Sequence, residues 1–170
     1  MTTADQSVDF AITRTFNAPR EQVFDTMTQP EHLQKWWGPQ GCTIEVIAHE
    51  PKPGGVFHYC MKFGPVPGMY GKFEYREVTR PERIVFLNGF ADAQGNRIRY
   101  QMSPTWPLEV LNTVTLEEVE GKTKMTLRSS PHNASAIEIE TFKASHASME
   151  GGFGGMYEVY AKYLATLTAT

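Results

Sequence analysis

HNASAIEIETFKASHASMEGGFGGMYEVYAKYLATL, residues 132–167, decides the fold, because its apolar side chains keep helical time over its whole length. Phe142, Met149, Phe153, Met156, Tyr160 and Leu164 recur at intervals of three, four or seven and make one continuous apolar stripe. Asn133 or Ser135 can cap the start, and Ser135 with Glu138 has capping-box spacing. The stretch therefore reads as one long C-terminal helix. Its centre holds Gly151, Gly152, Gly154 and Gly155, which together cost roughly 3 to 4 kcal/mol of helix propensity relative to alanine. A bend, a close backbone approach or room for a ligand is expected there in return.

What that helix packs against is written between Thr43 and Leu127. Strand follows strand, separated by the turn signals PKPGG, GPVPG, TRPE, ADAQGN and EEVEGK, with no helical period. Consecutive strands with short turns predict an antiparallel meander. Alternation assigns the faces. Phe57, Tyr59, Met61 and Phe63 point one way and His58, Cys60 and Lys62 the other; Phe73 and Tyr75 oppose Lys72, Glu74 and Arg76; Ile84, Phe86 and Phe90 share their face with Asn88. Two later strands, at about 108–118 and 122–129, add Val110, Val114 and Leu116, then Met125 and Leu127. The loop RIRYQMSPTWP (97–107) carries Met102 and Trp106, which are costly to leave in water and are expected to cover an edge or opening.

Upstream, VDFAITRTF (8–16) alternates as a strand with Phe10, Ile12 and Phe16 on one face and Arg14 among them, pairing with a carboxylate, marking a bulge or reaching the rim. A short helix is predicted over 19–28 and a second over about 30–36, the latter bringing Trp36 and Trp37 to the sheet before Gly38-Pro39 ends it. One of these indoles is expected to be buried and the other to stand at the opening.

The size fits one domain spanning 1–170, with residues 1–7 expected to be disordered. A net charge of −3 with 16 scattered Lys and Arg gives no footprint for nucleic acid. No run reaches the roughly 20 apolar residues of a membrane span, and the N-terminus does not read as a secretory signal. The expected location is the cytoplasm. Cys42 and Cys60 form no CxxC pair and read as reduced, packed thiols. His146 and Glu150 stand one helical turn apart, which suits a solvated pair better than a metal or acid/base site; no metal and no cofactor are expected. Both a monomer and a homodimer are compatible with the sequence.

Several stretches, taken in order, carry a resemblance: RTFNAPREQVFDTMTQPEHLQKWWGP (14–39), PGG (53–55), YREVTRPERIVF (75–86), SPTWPLEVLNTVTLEE (103–118), GKTKMTLRSSPHNA (121–134) and the SM at 148–149. Together they resemble the START-like superfamily, SRPBCC, and within it the branch named after the activator of the ninety-kilodalton heat-shock chaperone's ATPase. The resemblance implies an α+β helix-grip fold, Bet v 1-like, ordered as one strand, two helices, six strands and a long helix. It implies a curved antiparallel sheet of about seven strands and a cavity between sheet and helix. Members of the superfamily include lipid and aromatic-polyketide binders, cyclases and co-chaperones. The chaperone activator itself carries a further N-terminal domain, for which this chain has no room.

On this footing the expected function is binding of a small hydrophobic or aromatic ligand. The sheet wall is expected to be Phe57, Tyr59, Met61, Phe73, Tyr75 and Phe86, with Asn88 as a polar member. Met149, Phe153, Met156 and Tyr160 face it from the helix; Trp36, Trp37, Met102 and Trp106 close the rim. Adaptable Met and aromatic walls suit apolar ligands, although the same residues also make a packed core. A co-chaperone-like contact with a heat-shock chaperone in stress response is the second reading. A cyclase-type enzyme using the inward polar groups Tyr59, Tyr75 and Asn88 is the third. No nucleophile triad or carboxylate pair assigns catalytic residues.

Overall fold

The computed structural model describes residues 8–168, so the expectation for 1–7 lies outside the described residues. Strand β1 (Phe10–Phe16) leads into α1 (Arg20–Thr28) and α2 (Pro30–Trp36). Six strands follow: β2 (Thr43–His49), β3 (Val56–Phe63), β4 (Val66–Thr79), β5 (Arg83–Ala91), β6 (Glu109–Val119) and β7 (Lys122–His132). The chain closes with α3 (Ala136–Ala144) and α4 (His146–Thr168).

All strand pairs are antiparallel, in the order β1-β7-β6-β5-β4-β3-β2. This is the predicted meander, with the first strand returning beside the last. The predicted parity holds: Phe57, Tyr59, Phe73, Tyr75, Ile84, Phe86, Val110, Val114, Leu116, Met125 and Leu127 are all buried in one core with the helices.

Tyr160 of α4 ties the helices to this sheet. Its Oη shares a 2.7 Å hydrogen bond with Thr26 Oγ1 of α1. Its ring packs 4.4 Å from Trp36 of α2 and 4.9 Å, edge-on, from Phe16 of β1. Trp36 closes the loop by donating its indole N–H to the Thr26 carbonyl at 2.8 Å. Four elements thus meet around one ring, with every polar atom of the group satisfied, as burial demands.

Three expectations are corrected by the structure. The single long helix is two, because Ser145 (φ −95°, ψ 0°) leaves helical geometry after Ala144 and the chain restarts at His146. The predicted capping box is present, with Glu138 N–H donating to Ser135 Oγ and Ser135 N–H donating to the Glu138 carboxylate. Met102 closes no opening: the residue is 82% exposed. The GPVPG turn is tighter than read, for β4 already begins at Val66.

His58 and Cys60 do face outward by parity, yet both are buried. The segment after β5 folds back over the outer face of the sheet to cover His58, while Cys60 lies under Gly68 and Tyr70 of β4. His58 Nε2 lies 3.0 Å from the Asp92 carbonyl, Lys72 Nζ donates to the Gly95 carbonyl at 3.0 Å, and Arg97 donates to the Lys72 carbonyl at 2.8 Å. That anchorage fixes where the following loop, 97–107, crosses the end of the sheet.

Tyr160→Phe is expected to lower the free energy of unfolding by about 1 kcal/mol, and Tyr160→Ala by about 3–5 kcal/mol, in urea denaturation. An alanine variant within about 1 kcal/mol of wild type would show that the four elements are held elsewhere.

Candidate functional site

The space between sheet and helices is divided. Near α2 it is filled: a void of only about 20 Å³ remains among Trp36, Trp37, Phe73, Tyr75 and Phe86, enough for about one water molecule. Face-on and edge-on ring contacts close it, including Phe73 with Phe86 at 4.1 Å and Trp37 with Phe73 at 4.9 Å. Toward the α3–α4 junction the same layer opens into a cavity of about 430 Å³.

Strands build the floor of that cavity. Tyr59 and Met61 come from β3, Asn88 and Phe90 from β5, Val110 and Asn112 from β6, and Ser129 from β7. Gly71 of β4 lies among them for a steric reason: a Cβ there would overlap the Tyr59 ring. The helices contribute Ser145, Ser148, Met149 and Phe153, and the covering loop contributes Tyr100, Ser103 and Trp106.

Of the residues expected to contact a ligand, Tyr59, Met61, Asn88, Trp106, Met149 and Phe153 stand at this cavity. Trp36, Trp37, Phe73, Tyr75 and Phe86 surround the small void instead. Phe57 stacks on Tyr59 at 4.6 Å within the packed layer, Met156 accepts the Gly38 N–H through its sulfur at 3.3 Å, and Tyr160 belongs to the four-element junction. The two indoles divide as expected only in part: Trp36 is buried, while Trp37 is half-buried against Phe73. Met102 lies in a separate open hollow of about 440 Å³ with Met69, Tyr70 and Ile98. Phe90 and Tyr100, stacked 4.4 Å apart at 7°, line both hollows and form the wall between them.

The central glycines do not shape the cavity. Gly151 and Gly152 face open space, whereas Gly154 lets Arg14 come close, with 3.3 Å from an ideal Cβ to Nη2. Arg14 in turn lies 3.7 Å from Glu150, so the inward-facing arginine of β1 reaches a carboxylate of α4 at the rim. His146 packs edge-on against Phe10 and Phe142 with Nε2 3.0 Å from the Val8 carbonyl, and does not pair with Glu150. Among the described residues no group of three or more His, Cys, Asp and Glu is placed to hold a metal ion.

Of the three inward polar groups, the cavity receives two. Tyr75 turns its hydroxyl to His49 Nε2, 3.3 Å away. Burial pushes the Tyr59 phenol up to about 12, against the opposing effect of its hydrogen bond with the Trp37 side chain, so it stays protonated at neutral pH. Asn112 and Ser129 were legible as cavity residues, since they share parity with Val110 and Val114 and with Met125 and Leu127. Ser103, Ser145 and Ser148 stand in a loop and at a helix junction, where no periodicity marks them.

The covering loop is clamped to α3. Arg99 pairs with Glu138, Thr141 Oγ1 donates to Thr105 Oγ1 at 2.9 Å, and Trp106 packs 5.5 Å from Phe142. The Ser135 backbone N–H and then Arg99 hold the Glu138 carboxyl below its ordinary range.

The sequence profile of the family described as activator of Hsp90 ATPase homolog 1-like protein matches residues 17–165. Among solved structures, a crystal structure of a protein from Mycobacterium smegmatis is 28% identical, with a TM-score of 0.73 over 96% of this chain and 93% of that one. A solution structure from Staphylococcus epidermidis is 27% identical, with a TM-score of 0.68 over 94% of this chain and 93% of that one. Another, from Arthrobacter aurescens, is 25% identical, with a TM-score of 0.75 over 92% and 86%. No curated protein matches the sequence. No helix of the described residues is long and apolar enough to cross a membrane.

A carboxyl whose folded value is lowered stabilises above its unfolded value, about 4.3 for glutamate, and loses that contribution as pH falls through the folded value. Protection of residues 99–106 against hydrogen exchange, taken relative to the intrinsic rate at each pH, should therefore fall on acidification into that window. Glu138→Gln should exchange faster at neutral pH and respond less to acid; an unchanged exchange rate in the variant would dissociate the loop from α3.

Proposed function

The chain belongs to the activator of Hsp90 ATPase homolog 1-like family, and on that premise we propose that it binds one small apolar or aromatic molecule, non-covalently, between the sheet, the α3–α4 junction and the covering loop. The observation that carries the reading is the contrast between the two ends of one layer. The same sheet and helix pack to a residual 20 Å³ at one end and leave about 430 Å³ at the other. The larger space opens to solvent, and walls held apart in this way forfeit the contacts that the closed end makes. A hollow of this size, walled by Phe90, Tyr59, Met61, Val110, Met149 and Phe153, falls in the range of small-molecule pockets.

The ligand contacts proposed are those six together with Asn88 and Trp106. Contact with a heat-shock chaperone rests on the family description alone. An enzymatic use of the cavity rests on Tyr59 and Asn88, now without Tyr75.

The neutral fluorophore N-phenyl-1-naphthylamine is expected to bind saturably at one site. Met149→Trp, which fills the cavity from α4, is expected to weaken that binding at least about tenfold while the melting transition stays cooperative. Absence of saturable binding, or equal binding by the filled variant, would count against this pocket.

A further inference from the structure

Beside the hydroxyls that the helices, the covering loop and Tyr59 bring, the sheet floor of the cavity carries a row of three polar side chains. Asn88 on β5 pairs across the sheet with Val110 of β6; two residues further along β6 stands Asn112, which pairs with Ser129 of β7. Alternation puts all three side chains on the same face, so they cross the floor diagonally from strand to strand. Among the described residues no Asp, Glu, Lys, Arg or His lines this cavity. A carboxylate, phosphate or ammonium drawn into it would leave its water with no counter-charge to meet, which is a heavy cost.

The hydrogen bonds of the row are unequal. Asn112 is committed on both sides: it accepts from Ser129 Oγ at 2.5 Å and donates to the Val110 carbonyl at 3.2 Å. Ser145 Oγ donates to the Thr141 carbonyl at 2.7 Å. These contacts use the serine donors and leave lone pairs on Ser129 and Ser145. Asn88 is different: its carboxamide stands at the cavity, and its Oδ1, sheltered in this rotamer, has no hydrogen-bond partner among the described residues. A half-turn about its last torsion exchanges Oδ1 and Nδ2, so the carboxamide can offer either an acceptor or a donor to the cavity. The group that meets it in both settings is a hydroxyl, which donates and accepts through one atom. A hydroxyl also meets the spare lone pairs beside it.

From this we infer that the cavity selects an uncharged molecule bearing a hydroxyl group, an aromatic or aliphatic alcohol or phenol, with the Asn88 carboxamide as the residue that recognises the hydroxyl. The inference rests on the small-molecule reading above and narrows it. Asn88 sets specificity here, and Tyr59, Met61, Val110, Met149 and Phe153 supply the apolar contact common to all ligands.

Isothermal titration at neutral pH with 2-naphthol, 2-methoxynaphthalene and 2-naphthoate separates the possibilities, because the three share one ring system and differ in the polar group. 2-Naphthol is expected to bind about tenfold more tightly than the methyl ether, and 2-naphthoate more weakly than either. Asn88→Leu, close in volume and free of the unpartnered oxygen, is expected to bring naphthol and ether within about twofold of each other. Equal binding of naphthol and ether by the wild-type protein, or tightest binding of naphthoate, overturns the inference and leaves the pocket standing. Retention of the naphthol preference in the Asn88 variant moves the recognition away from this residue and overturns the inference likewise. Failure of all three to bind removes this inference together with the pocket reading beneath it.

Discussion

The ring of Tyr160 is the constraint on which the rest of this structure depends. A helix laid across a curved sheet has to be held at a fixed angle and depth, and apolar contact alone is non-directional. Here the direction comes from a buried polar circuit: Tyr160 Oη with Thr26 Oγ1, and the Trp36 N–H on the Thr26 carbonyl. The partners lie on α1, α2 and α4, so each of these bonds fixes one helix against another. Phe16 against the same ring carries the fixation through to β1. Toward the start of α4 the helix is held by His146 against Phe10 and Phe142, and that is the end of the layer where space remains.

Residue size explains the rest of the division. At the filled end Phe57, Phe73, Tyr75 and Phe86 project from neighbouring strands and interlock with Trp36 and Trp37 from α2. At the other end the inward positions of the same strands hold Gly71, Asn88, Asn112 and Ser129, too small or too polar to close on the helices. The break at Ser145 adds to this, for it ends α3 where α4 begins and leaves short serine side chains at the corner. The roof is then supplied by a loop held from two sides, to the outer face of the sheet through Arg97 and to α3 through Glu138.

Much of this was legible in the amino-acid order, and the reasons differ by element. The strands and their faces were readable because alternation is a local property that burial enforces at every second residue, from Phe57 to Leu127. The capping box at Ser135 and Glu138 was readable because it needs only two residues at fixed spacing. The break inside the last apolar stripe was not, since Phe142 and Met149 keep helical time across Ser145. The site was half legible. Aromatic parity names a layer of side chains, but which part of that layer is filled depends on what the facing helices bring to each position, and that is long-range. Tyr75 shows the limit: its parity is inward, yet its hydroxyl belongs to His49. Burial of His58 escaped for a similar reason, as a distant segment covers a face that alternation assigns to water.

The polar row from Asn88 through Asn112 to Ser129 gives this architecture a freedom of a particular kind. Those side chains stand on strands whose pairing is made by backbone atoms, and they lie away from the junction around Tyr160. If the proposed site is right, exchanging them would alter what the hollow prefers without touching the junction around Tyr160. On the proposed reading the scaffold and its choice of guest are therefore separable quantities, the one set around Tyr160 and the other across β5, β6 and β7.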